Sequence, residues 1–246
     1  MVSTAEGIEL IEAETGRIKA YLRGTGPDQW GLDSPCEGWT VGDVIGHLGW
    51  AAEFFSDAIS QGRSGITSAP QGLPEIGTMP PTELPDFIAR MAKEYHRLAG
   101  SNLADAFASS VDRLGGIFSS MEDDDWSKEC FGLRMLQPAS AYVAIRISEV
   151  VIHYWDIRYP SNANAPLSPD CVPAVLERLP VWLNSLSLAD LKPTQSPARY
   201  RVQTTGAADF QRDVVIGDGE NRIEEAQGEP TATFTCDADV LALLVW

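Results

Sequence analysis

The chain has 246 residues, with 35 Asp and Glu against 18 Lys and Arg, a formal charge of −17 and 44% hydrophobic residues. That composition is ordinary globular composition, and the length suits one large domain or two ordinary ones, which excludes wholesale disorder. With no Lys/Arg cluster, it also excludes a phosphate-contacting nucleic-acid surface and docking onto anionic membranes.

No stretch reaches the roughly 18 uncharged apolar residues of a spanning helix, and the N-terminal run MVSTAEGIELIEAETGRIKAYL has neither the basic nor the apolar region of a signal peptide. The four Cys, at 36, 130, 171 and 236, form no CxxC pair. They make neither a zinc ribbon nor a disulfide framework, so a cytoplasmic protein with reduced thiols is expected.

Along the chain there is no repeat at solenoid spacing. Ile8, Ile11, Ile18 and Tyr21/Leu22 recur at helical spacing and stop at Arg23-Gly24-Thr25-Gly26-Pro27. Thr40 reads as the N-cap of a second helix, with Asp43 three residues on and Val41, Val44, Ile45, Leu48 and Phe55 forming its apolar stripe to about residue 60. Residues 62–81 are rich in Gly, Ser and Pro and read as a loop. From about 83 to 121, Phe87, Ile88, Met91, Tyr95, Leu98, Phe107, Val111, Leu114 and Phe118 continue the helical period, with Gly100-Ser101 as a candidate break. After an acidic turn at Glu122-Asp123-Asp124-Asp125 and an irregular segment with Gly132 and Pro138, a further helix spans about 139–159. Four long helices with modest connections predict a four-helix bundle over residues 1–160.

Composition shifts at 160–169, a linker into a second, small α/β domain over 161–246. It should hold a helix at 171–186, strands at 200–204, 213–216 and 231–236, a hairpin turn at Gly217-Asp218-Gly219, and a helix starting at Asp237. The fold class is therefore α+β. Because the chain stops on the apolar run Leu243-Leu244-Val245-Trp246, the natural protein or its relatives are expected to continue further.

The chemistry concentrates in RISEVVIHYWDI, residues 146–157. Glu149 and His153 are four apart and share one face, which Asp156 joins a turn later. The helix around them is apolar nearly all round, so it should be buried, and a buried carboxylate and imidazole are costly unless paired or metal-bound. His47 borders the apolar stripe of the second helix, a position from which it can face the same interior. Spacing leaves two readings open. One is a Glu–His ion pair with a core His47. The other is a His₂Glu set with an open coordination position, the pattern of a catalytic zinc-type site.

The run Ser34-Pro35-Cys36-Glu37-Gly38-Trp39-Thr40-Val41-Gly42-Asp43-Val44-Ile45-Gly46-His47-Leu48 resembles one signature of the mycothiol-dependent maleylpyruvate isomerase family. Arg146-x-x-Glu149-x-x-x-His153-x-x-Asp156 resembles the family's second signature, and the likeness extends over essentially the whole chain. It implies a DinB-like four-helix bundle followed by a sterol-carrier-like α/β domain. It further implies a divalent metal, zinc first, held by His47, Glu149 and His153, with mycothiol as thiol cosubstrate. The implied activity is attack of a metal-bound thiolate on a small electrophilic substrate, ending in isomerisation or S-transfer; the alternative is a non-catalytic metal-binding or stress-response DinB-like module. Family members usually carry a Gly-Arg after the helix that here begins at Asp237, and its arginine contributes to the active site. This sequence ends at Trp246 before such a position, which leans the expected reaction towards thiol transfer.

Arg146 and Asp156 complete the expected catalytic set, Arg146 by orienting Glu149 or binding substrate, Asp156 by fixing the tautomer of His153. Tyr142 shares the face of Glu149 and joins Arg146 as a candidate substrate contact, although ion pairing for Arg146, a helix-end surface charge for Asp156 and core packing for Tyr142 serve as well. Trp39 and Trp155 are assigned to the core, His96 to the solvated surface, and Cys36, with no basic neighbour in sequence, to a structural role. Small molecules are the expected partners, with no nucleic acid or membrane, for a monomer or homodimer.

Overall fold

In the computed structural model, which describes residues 2–186, 197–206, 208–217 and 221–246, the chain divides into two units, Val2–Ala165 and Pro166–Trp246. The first unit is built on helices whose starts are written locally. Ser3 caps α1 (Thr4–Leu22) in a reciprocal capping box with Glu6, and Thr40 does the same for α3 (Val41–Arg63) with Asp43. A short turn of helix, α2 (Pro27–Trp30), lies between them. Nearly every α3 residue from Val41 to Ala52 is buried, so α3 is the central helix of the unit.

What lets neighbours approach α3 is a row of glycines. A Cβ placed on Gly46 would lie 2.4 Å from the carbonyl oxygen of Ala92, and one on Gly49 would lie 2.6 Å from the Tyr95 ring. The helix that fills this face is α4 (Leu84–Ala99). His96 on α4 consequently meets the start of α3, with its Nδ1 2.9 Å from Asp43 Oδ1. The expected solvated His96 is thus a half-buried, paired one, because the glycine face draws its helix in.

The helical stretch expected from 83 to 121 is two helices, α4 and α5 (Leu103–Ser119). Gly100 breaks them with φ +53°, in the left-handed region where glycine carries no Cβ penalty. A two-stranded antiparallel ribbon, β1 (Glu129–Cys130) with β2 (Gln137–Pro138), then leads into α6 (Ala139–Arg158). Helix α6 packs on α1 and α3, and α5 packs on α3 and α1, which closes a ring of four; α4 lies against α3 outside that ring. The core between them is apolar, with Ile18, Ile45, Leu48, Phe107, Leu114 and Val150 essentially inaccessible. No helix among the described residues is long and apolar enough to cross a membrane.

The second unit holds α7 (Val172–Leu186), strands β3 (Ala198–Thr205), β4 (Gln211–Ile216), β5 (Arg222–Glu225) and β6 (Ala232–Asp237), and α8 (Ala238–Val245). The sheet order is β5-β4-β3-β6. Strands β3 and β4 pair antiparallel, with Tyr200 opposite Val214, while β3 and β6 run parallel, with Tyr200 opposite Ala232. Strand β5 reads Arg-Ile-Glu-Glu, an edge strand whose charges hide it from an apolar pattern. Of the expected turn at Gly217-Asp218-Gly219, the last two residues lie outside the described residues. The sheet is pinned by a buried carboxylate: Asp213 accepts from Arg199 Nη1 at 2.8 Å, Arg201 Nε at 2.9 Å and Gln227 N–H at 2.9 Å.

Candidate metal centre

Two helices of the first unit supply the site. Helix α3 carries His47 on its buried half, and α6 carries Glu149 and His153 on successive turns of one face. Glu149 Oε2 lies 2.6 Å from His47 Nε2 and 3.5 Å from His153 Nε2. The three donor atoms fall within 4.8 Å of one another. The rings of His47 and His153 meet edge to face at 4.9 Å. Both histidines are buried, at 7% and 9% exposure.

The His153 ring is oriented from behind. Its Nδ1–H donates to Asp156 Oδ2 at 2.7 Å, which leaves Nε2 turned towards Glu149. Cys36 joins the same carboxylate, its Sγ 3.5 Å from Asp156 Oδ2. Assigned to a structural role because nothing basic adjoins it in sequence, Cys36 in fact stands with His153 and Asp156 as a second cluster of potential ligands. The contact spans 120 positions, so no local pattern announces it. Trp39 and Trp155 are half-buried rather than core. Trp39 meets the His47 ring edge to face, with centroids 5.6 Å apart.

Burial fixes the charges. It drives His47 below the usual histidine range, against the pull of Glu149, so this imidazole is neutral. Burial alone would raise Glu149, but His47 and His153 facing it hold the carboxyl well below its ordinary value. Burial would likewise lower His153, and its bonds to Asp156, Cys36 and Glu149 outweigh this and hold it well above. The cluster therefore favours an ionised Glu149, with a proton held more readily by His153 than by His47. Loss of one proton from His153 turns it into the two-imidazole, one-carboxylate set that binds a divalent ion. His47 Nδ1 is buried with no hydrogen-bond partner in the protein among the described residues. The donor chemistry fits a divalent cation that takes both N and O ligands, zinc foremost.

His47 and Glu149 open onto a cleft of about 220 Å³ walled by Trp50, Phe54, Phe55, Leu84 and Ile88. Trp50 and Phe54 follow His47 three and seven residues later on α3, so helical periodicity could have found them; the wall from α4 and from the segment before β2 carries no such signal.

Arg146 and Tyr142 do not line this cleft. Arg146 is fully buried and donates through Nη1 to the Leu48 carbonyl at 3.0 Å. It borders a different cavity, about 280 Å³, with Thr15 and Gly16 of α1 and Gly115 of α5. Burial pulls its pKa down to about 10 although Glu149 opposes this. The Tyr142 hydroxyl donates to the Phe131 carbonyl, and its ring packs on Phe55 with centroids 4.8 Å apart. Both are wedged between helices, where the sequence reading allowed substrate contact.

A helical bundle with these groups converging in its interior, followed by a small sheet domain, is of the DinB-like class. Residues 11–158 match the family model described as the mycothiol maleylpyruvate isomerase N-terminal domain, and the chain belongs to that family. Among solved structures it is similar to the crystal structure of the mycothiol-dependent maleylpyruvate isomerase, with a TM-score of 0.65 and 17% identity over 98% of this chain and 87% of that one. It is also similar to a mutant of mycothiol-dependent maleylpyruvate isomerase in which a histidine is replaced by alanine, with a TM-score of 0.65 and 16% identity over the same shares. At such identities the likeness carries the α+β fold. No curated protein matches the chain.

Proposed function

We propose that the protein is a metal-dependent enzyme that uses mycothiol against a small electrophilic substrate, with cis–trans isomerisation of a maleylpyruvate-like compound as the principal outcome. The observation that carries this reading is the convergence of His47, Glu149 and His153, the first two of which open onto an apolar cleft. Those three residues would hold the ion, and the bundle, residues 1–160, would be the catalytic domain. A divalent ion bound there supplies a lowered pKa to a coordinating thiol, so that the sulfur is a thiolate near neutral pH.

The chain's own residues do the rest. Asp156 keeps the His153 Nδ1–H engaged and its Nε2 lone pair turned to the centre. Glu149 stays ionised between the two rings. Trp50, Phe54 and Ile88 hold the carbon skeleton of a small substrate and exclude water from it. In the substrate, a new S–C bond forms at one alkene carbon while the C=C electron pair moves onto the conjugated carbonyl oxygen as an enolate, leaving a C–C single bond. Rotation about it, followed by expulsion of the sulfur, restores the alkene in the opposite geometry and returns the thiol. If the sulfur is not expelled and the enolate carbon instead takes up the proton that the thiol lost, the outcome is S-transfer.

The test is to reconstitute purified protein with zinc, measure bound metal, and incubate it with mycothiol and maleylpyruvate while following isomer and thiol adduct. Stoichiometric metal with isomer formation is expected, and both should be lost in His47→Ala. Metal without isomer or adduct would favour a non-catalytic binding module. Failure to hold any divalent ion would overturn the ligand assignment.

A further inference from the structure

The cleft above His47 and Glu149 contains one arginine. Arg134 stands on the connection between β1 and β2 and lines the cleft together with the aromatic side chains of α3. That connection is held at both ends: Cys130 pairs with Gln137 across the ribbon. Inside it, a Cβ on Gly132 would lie 2.4 Å from the Met135 carbonyl oxygen, so the backbone turns back on itself around Arg134. The guanidinium is therefore presented on a tight, anchored loop.

Several arginines of the bundle are paired with a carboxylate, as in Arg63–Asp125, Arg97–Glu94 and Arg113–Asp57, and Arg146 is engaged by the Leu48 carbonyl. Among the described residues Arg134 has neither an ion-pair nor a hydrogen-bond partner. The one carboxylate in the cleft wall, Glu149, is already engaged by His47 and His153. An anion entering the cleft thus meets a fork of N–H donors that no group among the described residues neutralises.

Building on the function proposed above, we propose that Arg134 is the specificity-determining residue of the cleft. Its guanidinium takes a carboxylate of the substrate, so the site selects small anionic electrophiles whose carbon skeleton lies on Trp50, Phe54 and Ile88. Arg134 positions and selects; the bond-making end of the cleft is at His47 and Glu149.

The experiment is equilibrium binding of maleate and of its uncharged dimethyl ester to the zinc-loaded protein, in wild type, Arg134→Met and Arg134→Lys. Arg134 is exposed, and thermal melts verify that the variants fold. The Met variant should bind maleate about ten- to a hundredfold more weakly, the range of one charge-assisted hydrogen-bonded contact, with ester binding unchanged. The Lys variant should recover part of the loss, since it keeps the charge without the fork. In turnover, the same change should raise KM for an anionic substrate and leave kcat within about threefold. Equal maleate affinity in wild type and the Met variant, or equal weakening of acid and ester, overturns the assignment. So does a wild type that does not bind maleate. If charge-selective binding is lost in Arg134→Met but mycothiol gives no turnover, the anion site stands and the thiol chemistry falls.

Discussion

Replacing Asp156 with asparagine keeps the shape of the side chain and removes its charge, which isolates the electrostatic part of its hold on His153. The carboxylate is 2.7 Å from His153 Nδ1, with side-chain exposures of 7% and 11% for Asp156 and His153, so solvent screens the bond little. A hydrogen bond to a charged group contributes about 1.5–3 kcal/mol and a neutral one about 0.5–1.5. The difference, roughly 1.2 kcal/mol, is about an eightfold loss of divalent affinity. Asp156→Ala also frees the ring to turn, and about a hundredfold loss is expected, the upper range for outer-shell partners of metal ligands. Competition titration against a chromophoric chelator measures both. The pH dependence has a definite sign. Against the opposing effect of burial, the bond to Asp156 helps hold His153 above the ordinary histidine value, and a cation must displace that proton. Wild-type affinity therefore falls as pH drops through the raised pKa, and in Asp156→Asn that fall moves to lower pH. The penalty of the variant should be largest in alkaline buffer and shrink towards acid. Affinity unchanged in both variants, or a His153 titration by NMR that does not move, would refute the reasoning.

Asp213→Asn should destabilise the small sheet domain in urea unfolding, because the buried carboxylate that holds both Arg199 and Arg201 loses its charge, although Arg199 keeps Glu224. Arg201 foremost holds Asp213 far below its ordinary value of 3.8, so this stabilisation is complete above that pH and lost as pH falls further. The difference between wild type and variant should narrow in acid, and a pH-independent difference would contradict the pairing. Gly46→Ala gains about 1 kcal/mol in helix propensity. Its Cβ would nonetheless meet the Ala92 carbonyl oxygen at 2.4 Å, and displacing backbone costs about 1–3 kcal/mol; a lowered melting temperature is the expected net result. Tyr142→Phe removes the bond to the Phe131 carbonyl and should cost about 1–2 kcal/mol of stability. Since Tyr142 does not line the cleft, kcat/KM should be unaffected, and a selective loss of activity would restore it as a substrate contact.

Local physics made several parts of the molecule legible in advance. Capping at Ser3 and Thr40, the 3.6-residue stripe of α3 and the all-round apolarity of α6 depend only on neighbours within a few positions. The same spacing put Glu149 and His153 on one face and set His47 at the edge of a buried stripe. Residues whose role depends on a distant segment were less readable. Spacing sets the azimuth of Arg146 on its own helix, yet whether that azimuth meets a cleft or a neighbouring helix is decided by packing; it meets Leu48.

Sequence alone thus determined that this protein would build a helical bundle with an imidazole and a carboxylate one turn apart in its interior, because helical period and burial are properties of short segments. Only the tertiary structure decided what surrounds them: Cys36 beside Asp156, Trp39 against His47, α4 drawn onto the glycine face of α3, and Arg134 at the cleft wall. Those contacts join residues far apart along the chain. They follow from which surfaces can approach closely enough to pack, something that no window of sequence records.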